Sequence, residues 1–585
     1  MKFRTFFAVT MAACTLLAGC NKHEIIPTPV NPPEKETPTE PEKPEEPSSE
    51  PAKLTGAVIG TQTSVDYSTG ASSQKVNTRE MAFDGKVSTF FASYDRSGTW
   101  VGLDLGEKHI ITRVGCAPRP TQESRVELAL FEGANEADFS DALPLAIVRE
   151  KGQTGTFQYI DVNCSRGFRY VRYVGPNDAR CNVAEVEFYG KKGEGDDTHL
   201  YRLTNLPTVV INTEKAKAIT SKTVYIPANI YILSEEGVLE AVQSEIKGRG
   251  NASWDFPKKP YKIKFADKHK VLGSPSFDKK WTLINNYGDK TLMRNILAFE
   301  VSRRVGMVYT PFCTPVDVIL NGEYQGCYQL CDQVEVGKER VPAKDGYLIE
   351  IDAYASGEKV NFTSEKGTPV TVKYPDNDEI TQEQLNFIKS FFGKMETAIN
   401  SNSFKDPETG YRKYLDVDSF LRNFIIGEFS GNTDTYWSVN MYKDAAEGPF
   451  FTGPAWDYDL AFENDQRTYP VNNLADFIYA SAGSVASGSV RTMVNRIVKQ
   501  DPAARERLVE LWDQASPGLS TLNEYVDQTA ALLEESQQLN FKRWPILSQR
   551  VHQNFKATGS YAAEVETVKK YITARLDRFD ELVRK

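Results

Sequence analysis

The residues best suited to chemistry are carboxylates and amides that follow one another in the C-terminal half of the chain. Asp434 and Asn440 lie in one polar stretch, and Asp457 and Asp459 lie in a following Trp-Asp-Tyr-Asp sequence. Oxygen ligands of this kind are those that magnesium prefers, and a further carboxylate can orient a hydroxyl group for attack on a phosphate. The stretch therefore predicts phosphoryl transfer at a divalent metal ion. Polar residues that close turns between helices and a hairpin are the alternative interpretation.

A second cluster combines a glycine pair with a basic strand. Arg249 and Asn251 lie in a Gly-Arg-Gly-Asn turn, and Lys262 and Lys264 follow in a predicted strand. Glycines let backbone N–H groups approach a phosphate, and strand alternation places both lysines on one face. Either lysine could pair with nucleotide phosphates. A turn followed by solvated lysines is the alternative interpretation.

A helix is predicted between these two clusters. Asp289 is a candidate N-cap, apolar residues recur at helical spacing, and Gly306 ends the pattern. Glu300 on this helix is a candidate partner for a strand lysine, with Arg294 and Asn295 near the nucleotide as a second possibility. An exposed helix carboxylate is the other interpretation of Glu300.

In order and spacing, the three clusters resemble the CotH family of spore-coat-type atypical kinases over about residues 206–582. The resemblance implies a two-lobed, kinase-like domain of α+β class at residues 200–585, which the succession of strands and then helices also favours. It implies that Asp434 is the catalytic carboxylate, Asn440 an accessory metal ligand and Asp457 the principal metal ligand, with Asp459 as its alternative. ATP with magnesium or manganese is the implied cofactor. The implied nucleotide-binding residues are Arg249, Asn251, Lys262, Lys264 and Glu300.

The chain departs from ordinary kinases in its motifs. It contains no His-Arg-Asp or Asp-Phe-Gly sequence, and the spacing from Asp434 to Asn440 is longer than in the usual catalytic loop. A non-catalytic surface adhesion protein with a degenerate kinase fold is therefore the rival hypothesis. A glycosidase that uses Asp457 and Asp459 is a third, although strand positions two apart fit a shared metal better than an opposed acid and base.

Short strands and turns fill residues 53–192 and predict an all-β sandwich. Residues 82–89, 100–106 and 184–190 resemble the coagulation-factor type C, or discoidin-like, family of galactose-binding sandwiches. The resemblance implies a glycan ligand and a structural calcium ion held by Asp84, Thr89 and Glu185 with backbone carbonyls. A simple turn at Asp84, with Glu185 solvated on its strand, is an equal alternative.

The first residues have the features of an exported lipoprotein. Lys2 and Arg4 precede an apolar run that is too short to span a bilayer, which predicts a signal peptide at residues 1–19. The run ends in Leu-Ala-Gly-Cys, which resembles a bacterial lipobox and implies acylation of Cys20. An ordinary signal peptide with a chance cysteine is the alternative. Residues 20–52 are rich in proline and glutamate and predict an extended linker.

The charge balance, the cysteines and the histidines argue against nucleic-acid binding, a zinc site and hydrolase or zincin activity. The chain has 79 acidic and 69 basic residues, so there is no basic excess for a nucleic-acid partner. Cys327 and Cys331 have no nearby histidine and are expected to be buried thiols rather than zinc ligands. The pairing of the cysteines is not determined by the sequence. None of the five histidines lies in a hydrolase or zincin motif.

Together these features predict a multidomain protein of the cell envelope, anchored by lipid to the outer membrane and facing the periplasm or the exterior. A glycan-binding sandwich would target a kinase-like domain that transfers phosphate from ATP to serine or threonine hydroxyls of another protein. The sequence does not identify that phosphoacceptor.

We expect Cys20→Ser to release the protein from the membrane fraction as a soluble, unacylated form, because the acyl chains would be its anchor. Fractionation and intact-mass measurement check this outcome, with Cys14→Ser as the matched control. A Cys20→Ser protein that stays in the membrane would contradict the lipid anchor.

Overall fold

The computed structural model describes residues 50–343, 345–444, 448–468, 475–480 and 488–585. The predicted signal peptide, Cys20 and residues 20–49 of the predicted linker lie outside the described residues. Of the helices in the described ranges, none is both long enough and apolar enough to cross a bilayer.

The N-terminal domain is an all-β sandwich, as the sequence predicts. A long antiparallel sheet runs in the order β1-β10-β5-β9-β6-β7, with β2 and β8 also paired to β5, and β3 and β4 form a separate ribbon. Its strands are β1 Ala52–Lys53, β2 Ala57–Gly60, β3 Ser64–Val65, β4 Ser72–Ser73, β5 Trp100–Pro118, β6 Leu130–Ala134, β7 Leu143–Ile147, β8 Gln158–Asp161, β9 Gly167–Val174 and β10 Val183–Lys192.

The strand β5 belongs to both layers of the sandwich. Its first half pairs with β2 and β9, and its second half pairs with β8 and β10. The pairing with β9 shifts register between Asp104 and His109, where the strand changes partners. Bulges of this kind bend a strand and increase its twist. One strand of 19 residues can therefore serve two layers.

The next domain begins with a closed barrel of seven strands in the order β11-β12-β13-β14-β15-β17-β16. Parallel pairing of β11 with β16 closes the barrel, and the other neighbours are antiparallel. The strands are β11 Thr208–Thr213, β12 Ile226–Ser234, β13 Gly237–Gly248, β14 Tyr261–Lys270, β15 Phe277–Ile284, β16 Cys313–Leu320 and β17 Glu323–Asp332. The short helix α1 Ala252–Asp255 connects β13 to β14.

A second lobe follows, built from a five-stranded sheet and a group of helices. The sheet runs in the order β19-β20-β18-β21-β22. Its strands are β18 Tyr347–Asp352, β19 Asn361–Thr363, β20 Pro369–Tyr374, β21 Ser438–Lys443 and β22 Phe451–Thr452. The helices are α2 Arg294–Val305, α3 Gln382–Asn400, α4 Val417–Ser430, α5 Gly488–Val494, α6 Pro502–Leu519, α7 Leu522–Leu532, α8 Glu534–Arg543 and α9 Tyr561–Arg584. The predicted α+β class of this two-lobed region is confirmed.

The structure refines two predicted elements. The Asn321-Gly322 dipeptide between two apolar runs predicts a hairpin. The structure forms this hairpin from β16 and β17, and both turn residues have positive φ, as a two-residue turn of this type requires. The helix α2 begins at Arg294, later than a cap at Asp289 would place it. Asp289 nevertheless accepts the N–H of Arg294 at 2.7 Å, because the intervening residues fold as turns.

The sandwich and the barrel share one apolar core. Strand alternation sends Val209 and Ile211 of β11 into the barrel, whereas Val210 between them packs with the sandwich. The neighbouring β12 repeats this pattern. The residues beyond the sandwich that join its core are Leu203, Val210, Tyr231, Leu233, Ile319, Tyr324 and Leu539. Both faces of these strands are therefore buried.

Polar contacts reinforce this interface. The Asn212 side chain donates to the carbonyl oxygen of Ala142 at 2.9 Å in a buried position. Lys542 of α8 pairs with Glu127 at 3.0 Å and with Glu150 at 2.7 Å. The two domains are thus held by apolar burial and by specific hydrogen bonds.

We expect a fragment of residues 200–585 to lose most of its soluble yield, because it exposes apolar side chains that each contribute about 1.5–3 kcal/mol when buried. The matched control is residues 50–585, which keeps the interface. Soluble yield, melting temperature and binding of an apolar dye measure the difference. Equal melting of the common domain in the two fragments would contradict the shared core.

Candidate active site

A deep cleft of about 1150 Å³ separates the barrel from the second lobe. Its barrel wall comes from β13, β14 and β15, and the opposite wall and floor come from β18, β20 and the loops that follow α4 and β22. The cleft brings together the basic and the acidic clusters of the sequence. Its basic residues include Lys247, Arg249, Lys262, Lys264 and Lys280, and its acidic residues include Glu350, Asp352, Asp434, Asp457 and Asp459.

Asp434 lies on a single 3-10 turn, Thr433–Tyr436, that follows the left-handed residue Gly431 at the end of α4. Arg467 donates to its Oδ1 at 3.1 Å, and Arg467 is itself held by the fully buried Asp465 at 2.7 Å. Burial raises the pKa of Asp434, and Arg467 opposes that rise. One carboxylate oxygen is thus fixed, while Oδ2 has no hydrogen-bond partner among the described residues.

Asp457 has a left-handed backbone conformation, with φ of 67°. Aspartate tolerates this region better than most residues, but the conformation still needs support. Asn432 donates to the Asp457 carbonyl oxygen at 3.1 Å, and Asn295 accepts the N–H of Tyr458 at 2.8 Å. Hydrogen bonds on both sides therefore hold Asp457 in the floor of the cleft.

The N-terminal end of α2 supports this loop from behind. Arg294 and Asp289 form a fully buried ion pair at 2.5 Å, and Arg294 Nε donates to the carbonyl oxygen of Ala461 at 3.0 Å. Arg294 and Asn295 do not line the cleft. These two residues position the loop of Asp457 and Asp459, so the structure does not support the second possibility that they lie beside a nucleotide.

Free carboxylate oxygens in the floor suit a divalent cation, whereas the predicted ligand Asn440 is buried and is not among the residues that line the cleft. Asn440 of β21 donates through Nδ2 to the Pro454 carbonyl oxygen at 3.2 Å, which leaves its buried Oδ1 without a partner. In the described part of the chain, no donor hydrogen-bonds the carboxylates of Asp457 or Asp459. No three His, Cys, Asp or Glu side chains converge there as a closed metal cluster. Magnesium usually takes only one or two carboxylates and completes its shell with phosphate oxygens and water.

Burial and mutual repulsion raise the pKa values of the carboxylates in the acidic floor. Burial and the charge of Asp434 raise the pKa of Asp457 to about 6, although its side chain reaches the water of the cleft. Burial and then Asp457 raise the pKa of Asp459 well above its usual range. The three carboxylates repel one another, and a cation bound by one or two of them would relieve this repulsion.

The two candidate lysines of β14 differ in their contacts. Lys264 pairs with Glu245 at 3.0 Å, and both side chains are nearly half exposed. Lys262 has no ion pair within the described ranges, and burial lowers its pKa to about 8. Arg249 lies 5.7 Å from the ring of Trp456, next to Asp457 in the chain. Asn251, at the start of α1, also lines the cleft.

Glu300 is not the partner of either lysine. It pairs with Arg304 at 2.7 Å and with Arg303 at 2.9 Å on its own helix. Its helix α2 packs against α4 and α6 in the second lobe instead of lying beside β14. Glu300 is therefore not placed to pair with a lysine of β14. This assignment is corrected: Glu300 makes the helix-surface ion pairs of the alternative interpretation.

Two functional candidates had no clear signal in the sequence. Glu335, in the loop after β17, pairs with Lys280 at 3.2 Å, and its charge partly offsets the effect of burial on the pKa of Lys262. Arg467 anchors Asp434 from a loop well beyond the recognised motifs. Neither residue has a neighbouring glycine or metal-type spacing that could have revealed it.

In the sandwich, the structure brings Asp84, Thr89 and Glu185 together. Thr89 donates to Asp84 at 2.8 Å, and the N–H of Lys86 lies 2.9 Å from Asp84 Oδ1 and 2.8 Å from Glu185 Oε1. Burial and the neighbouring Asp84 raise the pKa of Glu185 to about 7. Hydrogen bonds alone can close this loop, so the geometry is compatible with a simple turn at Asp84 as well as with a calcium site. Glu185 is buried, however, so the expectation that it is solvated is wrong.

The family model described as CotH kinase protein matches residues 246–578, which is more than half of the chain. The chain belongs to this family. The predicted CotH membership is thereby confirmed, and the match includes the whole cleft floor. Inner spore coat protein H of Bacillus subtilis (strain 168) is 27% identical over 231 residues, which are 38% of this chain and 59% of that protein. The chain thus spans less than two thirds of this curated relative.

The N-terminal region is similar in structure to carbohydrate-binding modules. CBM62 from Clostridium thermocellum Xyl5A is 40% identical, and the match covers 24% of this chain and 98% of that module with a TM-score of 0.22. CBM32 of AlyQ, solved in complex with 4,5-unsaturated mannuronic acid, is 20% identical over 23% of this CotH chain and 97% of that module, with a TM-score of 0.19.

Proposed function

We propose that the CotH domain is a protein kinase that transfers the γ-phosphoryl group of ATP to serine or threonine hydroxyls with magnesium or manganese. The observation that carries this proposal is the floor of the cleft. There, Asp434 and Asp457 line the cleft opposite a basic wall, and the Oδ2 atom of Asp434 has no hydrogen-bond partner among the described residues. Phosphoryl transfer requires this combination of an orienting carboxylate, metal ligands and phosphate-binding cations.

Asp434 would act on the acceptor hydroxyl. Arg467 occupies Oδ1, so Oδ2 is the atom that can accept the hydroxyl proton. Because the pKa of Asp434 is raised, its carboxylate is a stronger base than an ordinary solvated aspartate. The ion pair with Arg467 also restricts rotation of the side chain, which favours one approach direction for the hydroxyl group.

Asp457 would hold the metal ion, with Asp459 as a further ligand. When bound, the metal neutralises charge on the phosphates. The hydrogen bonds from Asn432 and to Asn295 on either side of Asp457 hold it in place before a nucleotide binds.

Lys262 is the better candidate for binding the phosphates. Its ammonium group is half-buried in the cleft wall and has no described ion-pair partner, whereas Lys264 is already paired with Glu245. Arg249, on the adjacent glycine turn, would supply a second positive charge. The open space beside Asn251 and Trp456 leaves room for the remainder of a nucleotide.

We expect Asp457→Ala to lose metal-dependent ATP affinity, because this side chain would ligate the metal in both the ground and transition states. Asp434→Asn should bind ATP nearly normally but transfer phosphate about 100-fold or more slowly, the effect typical of losing a positioned acid-base group. Calorimetry with and without metal, and a phosphotransfer assay on residues 50–585, separate the two effects.

The matched control is Asp376→Asn, which changes an exposed carboxylate at the rim of the same cleft. It should leave binding and turnover close to wild type. Wild-type protein that binds no nucleotide in the presence of magnesium or manganese would overturn the kinase proposal. It would favour the adhesion protein with a degenerate kinase fold.

For the sandwich, we propose binding of a glycan at the loops on one end. Arg119 stacks on Phe90 at 3.8 Å and on Tyr67 at 4.6 Å, and Tyr67 is 45% exposed. Asn182 donates to the Tyr67 hydroxyl at 3.3 Å, while its buried Oδ1 has no partner in the described structure. Aromatic faces with a nearby cation and a free amide oxygen suit the mixed apolar and polar surface of a sugar ring.

We expect Arg119→Ala to weaken glycan binding at least 10-fold and to lower the melting temperature only slightly, through the loss of its contacts with Phe90 and Tyr67. Binding to an array of hexose- and N-acetylhexosamine-terminated oligosaccharides measures the effect. Arg125→Ala, elsewhere on the sandwich surface, is the matched control. Unchanged array binding by Arg119→Ala would place the ligand elsewhere.

A calcium ion at Asp84, Thr89 and Glu185 would stabilise the same domain. We expect calcium to raise the melting temperature of the wild type, since it binds the folded state and offsets the repulsion between Asp84 and Glu185. Asp84→Ala should abolish this response, whereas Asp66→Ala, in an exposed turn, should keep it. A wild-type melting curve that is identical in calcium and in chelator would mean that hydrogen bonds alone close the loop.

A further inference from the structure

Two cysteines face each other across the hairpin of β16 and β17. Cys313 and Cys331 are direct partners in the antiparallel register. Asp332 donates its N–H to the Phe312 carbonyl oxygen at 2.9 Å, so the adjacent pair is hydrogen-bonded and the cysteine pair is not. Pro315, two residues further along the strand, agrees with this assignment because it has no N–H to donate.

The geometry of such a pair suits a covalent link. Directly opposed residues in a non-hydrogen-bonded pair have Cα atoms about 4.5 Å apart, within the range of about 4.4–6.8 Å seen for disulfides. Leu330 points into the barrel, so alternation places Cys331 on its outer face, where Cys313 packs against the second lobe. The Cys313 thiol lies 3.7 Å from the side-chain oxygen of Gln329, which shares the outer face of β17 with Cys331.

The other described cysteines lack this arrangement. Cys116, Cys164, Cys181 and Cys327 are buried, and in the described strand pairings none of them lies directly opposite another cysteine. Cys313 is half-buried and Cys331 is fully buried. The pair therefore has one thiol that solvent can reach and one that is held directly behind it.

We propose that Cys313 and Cys331 form a disulfide bond when the protein is exposed to a disulfide oxidant. The Cys313 thiolate would attack the oxidant to give a mixed disulfide and release one thiol. The Cys331 thiolate would then attack Cys313 Sγ and expel the second thiol. The two cysteines lose two electrons and two protons, and the oxidant gains both. The predicted export of the chain would bring it to a compartment where disulfides persist.

The bond would link the start of β16 to the end of β17, close to the cleft. Cys331 is followed by Asp332, which accepts the N–H of Phe312 at 2.9 Å, and then by the loop that presents Glu335 to Lys280. Closing a loop of this size stabilises a protein chiefly by restricting the unfolded chain. The proposal concerns the hairpin itself and does not depend on kinase activity.

Residues 50–585 would be treated with oxidised glutathione, denatured, alkylated and digested for mass spectrometry. We expect a linked peptide pair containing Cys313 and Cys331, and a melting temperature that falls by several degrees after reduction. Cys327→Ser, which removes a neighbouring thiol of the same strand, should keep the link. Cys331→Ser should lose it and leave Cys313 open to alkylation.

Full alkylation of both cysteines in the oxidised wild type would overturn the proposal. So would a link from either residue to a different cysteine. These results come from peptide masses of the wild type, so they remain decisive even if a cysteine variant folds poorly.

Discussion

The candidate site depends on the buried ion pair between Asp289 and Arg294. Each side chain is almost completely removed from water, so each charge needs the other to remain buried at acceptable cost. Through this pair Arg294 is held where its Nε reaches the carbonyl oxygen of Ala461, and Asn295 beside it fixes the N–H of Tyr458. A helix that contributes no side chain to the cleft thus determines where Asp457 can lie.

Charge separation is the second organising feature. Acidic side chains form the floor of the cleft, and lysines and Arg249 form the barrel wall. Burial raises the pKa of Asp457 and lowers the pKa of Lys262, and the like charges within each group add to both shifts. An anionic ligand with its own cation would neutralise both walls at once, which is the charge pattern of a metal-nucleotide complex.

Local sequence patterns predicted the structure most accurately. The Asn-Gly hairpin, the succession of strands and helices, and the order of the three clusters were all visible in single stretches of the chain. Closure of the barrel was not, because it rests on parallel pairing of β11 with β16, which are far apart in sequence. Glu300 was misassigned because helical spacing defines a face but does not say what that face meets. Arg467 and Glu335 acquire their roles through tertiary contacts that no local pattern encodes.

The shared core of sandwich and barrel has a consequence for how the two domains could cooperate. A flexible tether gives its cargo an effective concentration that depends on linker length. Here Val210, Tyr231 and Leu233 are packed into the neighbouring domain, so the connection has no comparable freedom. Anything held on the sandwich would be presented to the cleft at a fixed distance and angle. The fixed distance from the sandwich to the cleft, rather than an effective concentration, would decide which sites on a nearby surface could be modified.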